Sequence, residues 1–248
     1  MMVFVRSALF LLWFIVISVV MNVGCLPLLL FPRRAVVDAG RLWARLILWG
    51  LKWIAGLRFE IRGVRPKPFT RAFIAAKHFS TWETIAFMAL HPDLAVVIKR
   101  ELLYVPLYGW YCLKMGMIPI DRGSGAKAIR IVLAAAKRAI GQERPVIIFP
   151  EGTRKKIGDS PDYKPGVAAL YAGLGLPCVP VALNSSLYWD GWFIRRPGTI
   201  VVEYREHIPP GLPRKAFMEA LETSIEEASN RLIAEARTVD SAWNKERA

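Results

Sequence analysis

The chain has little of what would bind a metal or staple a small fold. Of its 248 residues, three are cysteine and three are histidine. Cys25, Cys112 and Cys178 lie far apart and form no C-x-x-C pair. Neither a disulfide framework nor a cysteine zinc site is supported, and a reducing cytoplasm fits. His78, His91 and His207 have no ligand spacing. There is no Gly-x-Ser-x-Gly elbow of a serine lipase, no helix-turn-helix, zinc-finger or RNP pattern, no internal repeat and no low-complexity run. Acidic residues are scarce: 20 Asp and Glu stand against 34 Lys and Arg, a formal charge of +14. That balance favours polyanionic partners such as lipid surfaces or acidic proteins and cofactors. Without a reader motif, nucleic acid is not an expected partner.

Apolar residues are abundant, at 54%, and crowd the N-terminus. Ser7 to Phe31 is almost wholly apolar, long enough to cross a hydrocarbon core of about 30 Å as one helix. Asn22, Gly24 and Pro27 weaken its second half, which leaves a half-inserted helix open. The run is too long for a signal-peptide core, and no small-x-small site precedes a polar start. Arg33, Arg34, Arg41 and Arg45 follow it, against Arg6 ahead. This asymmetry places the C-terminal side in the cytoplasm, at the inner membrane. Leu42 to Leu57 is shorter, Trp-rich and interrupted by Arg45 and Lys52. It reads as a helix in the interface plane, with a buried packing helix as the alternative. Residues 1–57 are thus expected to be a membrane-anchoring helical region, and 58–248 a separate domain.

From Arg58 onward the pattern alternates. Strand candidates are Phe59–Ile61, Ala72–Ala76, Leu94–Ile98, Met117–Ile120, Val146–Phe149, Cys178–Leu183 and Thr199–Tyr204. Ala126 to Ile140 and Arg214 to Arg237 carry apolar residues at helical spacing. Strands alternating with helices predict an α/β domain with a mixed, largely buried sheet flanked by helices. In such sheets ligands gather beyond the carboxyl ends of strands.

Two clusters follow strand ends. In Lys77-His78-Phe79-Ser80-Thr81-Trp82-Glu83, an imidazole stands five residues before a carboxylate. A neutral imidazole suits proton removal near pH 7, and a carboxylate on its far nitrogen would fix the tautomer. Ser80-x-x-Glu83 is equally a capping box opening a helix through Leu90, a reading compatible with the first. The second cluster is Phe149-Pro150-Glu151-Gly152-Thr153-Arg154. Arg154, and Arg122 upstream, offer planar forks to phosphate oxygens. Gly152 permits close backbone approach and Thr153 adds a hydroxyl. Lys99 is a further phosphate candidate. Glu151 is awkward beside a phosphate, and either orients an arginine or meets another part of the ligand. Leu102 to Met115, aromatic and aliphatic, is a candidate lining for an apolar channel.

With Gly116-Met117-Ile118-Pro119-Ile120-Asp121-Arg122 and Val179-Pro180-Val181-Ala182-Leu183-Asn184, these clusters make four ordered segments. Over residues 58 to 205 the chain resembles the glycerolipid acyltransferase family, in particular its 1-acylglycerol-3-phosphate acyltransferases. The family pattern is His-x-x-x-x-Asp; this chain departs from it with Glu83. The resemblance implies His78 as general base, oriented by Glu83. It implies a glycerol-phosphate site at Arg122 and Glu151 to Arg154. It also implies acyl transfer from acyl-CoA or acyl-acyl carrier protein to lysophosphatidic acid at a membrane, giving phosphatidic acid, without cofactor or metal. Other acceptors, hydrolysis by the same base, and a non-catalytic lipid-binding protein are the competing readings.

Overall fold

In the computed structural model, which describes residues 1–68 and 70–245, the N-terminal region up to Ala55 is helical. Helix α1 spans Met2–Gly24. A 3-10 turn, Leu26–Leu30, follows where Pro27 removes a helical N–H. Helix α2 spans Arg33–Gly50 and runs on as a π turn, Leu51–Ala55. Then come β1 (Leu57–Arg62), β2 (Phe73–Ala76), α3 (Trp82–Leu90), β3 (Ala95–Lys99), α4 (Tyr108–Met115) and β4 (Ile118–Ile120). Next are α5 (Gly125–Gly141), β5 (Val146–Ile148), α6 (Gly166–Leu174) and β6 (Cys178–Leu183). A short hairpin of β7 (Trp189–Asp190) and β8 (Ile194–Arg195) precedes β9 (Gly198–Tyr204) and α7 (Arg214–Lys245).

Seven strands form one sheet in the order β1-β9-β6-β2-β5-β3-β4. Its pairs are parallel except β6 with β9. Alternation along the central strands feeds two cores. Ile74 and Ala76 face one with α2 and α3, while Phe73 and Ala75 face the other with α5, α6 and α7. With both faces covered, β2 and β6 are buried throughout, which explains their unbroken apolar sequence. The carboxyl ends of β2 and β5 lie side by side at the sheet's centre.

The N-terminal helices are integral to this body. Val36, Val37, Ala44, Ile47 and Leu48 form the buried stripe of α2, which packs on α3 and α4. Arg33 grips Asp93 with two hydrogen bonds (2.7 and 2.5 Å), and the Arg144 Nε bonds the same carboxylate at 2.9 Å. The segment expected as an interfacial helix from Leu42 is therefore the second half of a packed helix that starts at Arg33. It still exposes Leu42, Trp49 and Trp53.

Helix α1 docks along its length. The Ser7 Oγ accepts from the Arg195 N–H (2.9 Å). Phe10 meets Trp189 edge-on, the Trp13 indole donates to the Leu46 carbonyl (3.1 Å), and that of Trp43 to Ser18 (3.1 Å). The Tyr111 hydroxyl closes the far end on the Asn22 carbonyl (2.7 Å). The outer face, with Leu9, Leu12, Val16, Val19 and Val23, is bare.

The α1–α2 contact is close at Gly50. A Cβ there would lie 2.3 Å from the Trp13 indole. Ala in place of a mid-helix Gly normally stabilises by about 1 kcal/mol, whereas overpacking costs about 1–3 kcal/mol. Gly50→Ala is expected to lower stability and alter the near-ultraviolet tryptophan dichroism. Gly24→Ala, with nothing within 4 Å, should do neither. A stabilised Gly50→Ala would show that the helices can separate freely.

Candidate active site

The backbone of β2 leaves the sheet at Lys77, whose N–H still bonds the Val181 carbonyl (2.9 Å). His78 follows, and its ring stacks on Phe149 at the end of β5, centroids 4.2 Å apart. The His78 Nδ1 lies 3.0 Å from the Glu83 Oε1. Glu83 stands in the first turn of α3 with 0% exposure. Its Oε1 also accepts the Phe79 N–H (2.6 Å) and Ser80 N–H (2.5 Å). Its Oε2 accepts the hydroxyls of Ser80 (2.7 Å) and Ser185 (2.9 Å). One carboxylate thus satisfies the N–H groups ahead of α3 and holds the imidazole; the expected capping box is only half made, since the Ser80 Oγ accepts the Trp82 N–H (3.1 Å) and Thr81, which caps the helix, makes no side-chain bond.

Burial pushes the Glu83 carboxyl up, but the interaction with His78 and the bonds from Ser80 outweigh burial and hold it below its ordinary value. An ionised carboxylate only accepts, so in the neutral imidazole the Nδ1 carries the proton and the Nε2 offers a lone pair. The Nε2 has no hydrogen-bond partner among the described residues, and the side chain is 13% exposed. The extra methylene of Glu83 over an aspartate is absorbed by its turn back toward the helix start.

The loop after β5 wraps against His78 from the other side. The Lys155 N–H bonds the His78 carbonyl (2.9 Å), and the Gly152 N–H bonds the Phe149 carbonyl (2.9 Å). Gly152 has φ +68°, a left-handed conformation in which a side chain would be strained. The Arg122 guanidinium lies over it, 3.7 Å from where a Cβ would sit. Arg122, Thr153 and Arg154 are exposed, and neither guanidinium has a hydrogen-bond or ion-pair partner among the described residues. Lys99 pairs in register with Ile120, two residues before Arg122, and its ammonium lies 3.4 Å from Glu101.

Glu151 behaves otherwise than expected. It is fully buried and meets neither an arginine nor the surface. Its Oε1 accepts the Lys77 ammonium (2.7 Å) and its Oε2 the His78 N–H (3.3 Å). A buried cation next to it, rather than a ligand phosphate, decides its direction. Lys77 also bonds the Glu226 Oε1 of α7 (2.6 Å), which accepts the Tyr163 hydroxyl (2.8 Å). Burial raises the Glu151 carboxyl, and Lys77 opposes that rise without cancelling it.

Sequence reading missed Ser185, Glu226 and Tyr163, which lie 102, 149 and 63 positions from their partners. Lys77 was visible in the motif, and a lysine ending a wholly apolar strand was its signal. Of Leu102 to Met115, the side chains of Tyr108, Tyr111 and Met115 line an apolar cleft of about 80 Å³, shared with Met21, Val36 and Trp43. A larger cavity of about 470 Å³ lies between residues 156–161 and α7, floored by Lys77 and Phe79. It is lined by Glu222, Glu226 and Glu227, unsuited to a phosphate. No cluster of three or more His, Cys, Asp or Glu side chains fit to hold a metal occurs among the described residues.

Removing Lys77 would strand two carboxylates. Lys77→Met is expected to cost about 3–5 kcal/mol in denaturant unfolding at pH 7. Glu151 is raised in the folded state, so it binds a proton there before the unfolded chain does. The deficit should shrink as pH falls through that raised value toward the ordinary carboxylate range. A deficit independent of pH would show that the lysine acts by packing alone.

The sequence model of the family described as Acyltransferase matches residues 58–184. The chain is 38% identical over 162 residues to a 1-acyl-sn-glycerol-3-phosphate acyltransferase of Pseudomonas aeruginosa, covering 64% of this chain and 63% of that protein. It is 34% identical over 143 residues to the alpha form from Mus musculus, covering 57% and 50%. These matches thus span between half and just under two thirds of the relatives' length. The fold is similar to the crystal structure of the 1-acyl-sn-glycerophosphate (LPA) acyltransferase PlsC from Thermotoga maritima. The TM-score is 0.74 at 20% identity, covering 92% of this chain and 96% of that one. With the model matched across half of its length, including both the His78 and the Arg154 segments, the chain belongs to the acyltransferase family.

Proposed function

We propose that the protein transfers an acyl group from an acyl thioester to the free sn-2 hydroxyl of 1-acylglycerol 3-phosphate, forming phosphatidic acid. The observation that carries this reading is one juxtaposition. An imidazole with a free Nε2 shares the end of the sheet with a glycine turn crossed by Arg122. The similar proteins of Pseudomonas aeruginosa and Mus musculus, both 1-acyl-sn-glycerol-3-phosphate acyltransferases, support the choice of acceptor.

In this reading the His78 Nε2 takes the hydroxyl proton as that oxygen attacks the thioester carbonyl carbon. Glu83 stabilises the imidazolium that forms. The tetrahedral intermediate collapses, the C–S bond breaks, and the thiolate takes the proton from His78. No enzyme nucleophile is needed, and Ser80 is committed to Glu83. Arg122, Arg154, Thr153 and Lys99 hold the phosphate, while Gly152 lets it approach the backbone. The donor is an acyl-CoA or acyl-acyl carrier protein, and the net charge of +14 suits either.

In this reading the bare face of α1 rests in one leaflet, in place of the transmembrane span that its length and apolar sequence suggest. Its docking supports this: a helix of about 35 Å that touches the rest of the protein from Ser7 to Asn22 keeps both ends beside it. We place the domain on the cytoplasmic face of the inner membrane, where the basic surface meets anionic lipids.

Purified protein in detergent, given lysophosphatidic acid and either donor, is expected to form phosphatidic acid. His78→Ala should lower the rate by about 10²–10⁴. Arg122→Ala and Arg154→Ala should raise KM for the acceptor, about tenfold each for the loss of about 1.4 kcal/mol of charge-assisted bonding. Unchanged activity in both arginine variants would point to an acceptor without phosphate. No product with either donor overturns the reading.

A further inference from the structure

The β7–β8 hairpin is riveted to α1, the helix whose bare face is read above as resting in lipid. Its second strand shares two hydrogen bonds with Ser7 of α1: the Arg195 N–H donates to the Ser7 Oγ (2.9 Å), whose hydroxyl donates to the Arg195 carbonyl (3.4 Å). The Arg195 guanidinium is buried, stacked 3.8 Å over Trp189, and it donates to the carbonyls of Trp192 (2.7 Å) and Ile194 (2.9 Å). These bonds brace the tip from beneath. Phe193 packs on Phe4 of α1 with centroids 4.9 Å apart, and Trp192 packs on Phe193 at 5.7 Å. Trp192 itself is 76% exposed.

A tryptophan held this far out by a braced tip has no role in a core. It reaches α1 through Phe193, whose partner Phe4, with exposed Val5, begins the bare face of that helix. The patch is thus continuous with the lipid-facing surface and does not form a groove of its own. Exposed Arg196 follows at its edge and offers a cation to lipid phosphates. Tryptophan is the side chain that favours the headgroup boundary, with an apolar body and one N–H donor.

We propose that the β7–β8 hairpin is a membrane-contacting element, and that Trp192 seats in the headgroup boundary of the leaflet that holds α1. The proposal rests on the reading of α1 given above. Together the two contacts define a plane and so set the tilt of the domain over the lipid, which α1 alone would leave free to roll about its axis.

The test is site-directed spin labelling of the full chain in vesicles of phosphatidylethanolamine and phosphatidylglycerol. Cys25→Ser removes the half-buried thiol, and Cys112 and Cys178 are buried. Labels are placed by Trp192→Cys, by Leu12→Cys on the bare face of α1, and by Ile131→Cys on the exposed side of α5. Expected is several-fold preference for oxygen over a water-soluble nickel complex at 192 and 12, and the reverse at 131. Water exposure at 192 with oxygen preference at 12 overturns the hairpin contact alone. Water exposure at both overturns the α1 reading and the proposal with it. As an independent measurement, Trp192→Ala should leave acyl transfer in detergent micelles unchanged. It should raise the apparent KM several-fold for acceptor embedded in vesicles; an unchanged vesicle KM counts against the proposal.

Discussion

A lysine ammonium buried to 2% exposure at the end of β2 constrains everything around it. Taking such a charge out of water costs several kcal/mol, so it persists only with close counter-charge and satisfied donors. Glu151 from the β5 loop and Glu226 from α7 supply both, at 2.7 and 2.6 Å. Three segments far apart in the chain are thereby locked at one point. Glu151 then has its second oxygen left for the His78 N–H, so the charge pair also holds the main chain of the imidazole. Glu83 holds the ring from the opposite side. His78 is gripped at backbone and side chain by two different carboxylates, the preorganisation that the proposed proton transfer requires.

The same point separates two chemistries. Toward α7 the surface is acidic, with Glu222, Glu226 and Glu227 around a cavity. On the other flank Arg122 lies exposed over the Gly152 turn, and Arg154, two residues on, is exposed as well. Lys77 and Glu151 form the partition between them. The apolar cleft among α1, α2, α3 and α4 adds a third region, next to the bare face of α1. The acceptor proposed above, with a phosphate head and a fatty tail, suits this division, since its two ends seek opposite environments.

The body of the fold was legible. All seven strands of the main sheet follow the apolar runs in the sequence, within a residue or so at each end. The α5 periodicity predicted its helix. The N-terminal region was legible in composition and not in arrangement. Hydropathy sees that Ser7 to Phe31 is apolar, but not that Ser7, Trp13, Ser18 and Asn22 each bond the domain. The start of α2 was hidden because Arg33 and Arg34 look like flanking charges, whereas Arg33 spends its fork on Asp93. The β7–β8 hairpin escaped because two-residue strands are too short to show a period.

For the site, the sequence alone determined the pairing of His78 with Glu83, because the spacing between them is local. A strand end, a cap and the first turn of a helix bring those two together with little help from the rest of the chain. It also determined the arginines and the glycine of the second loop. Only the tertiary structure decided what Glu151 does. Its direction depends on Lys77, 74 positions away, and on Glu226, 149 positions from that lysine. The docking of α1 along the domain was settled the same way, by contacts such as Ser7 with Arg195, 188 positions apart. Local spacing encodes what neighbours in the chain can reach. A buried charge and a docked helix depend on groups that meet only when the sheet has assembled.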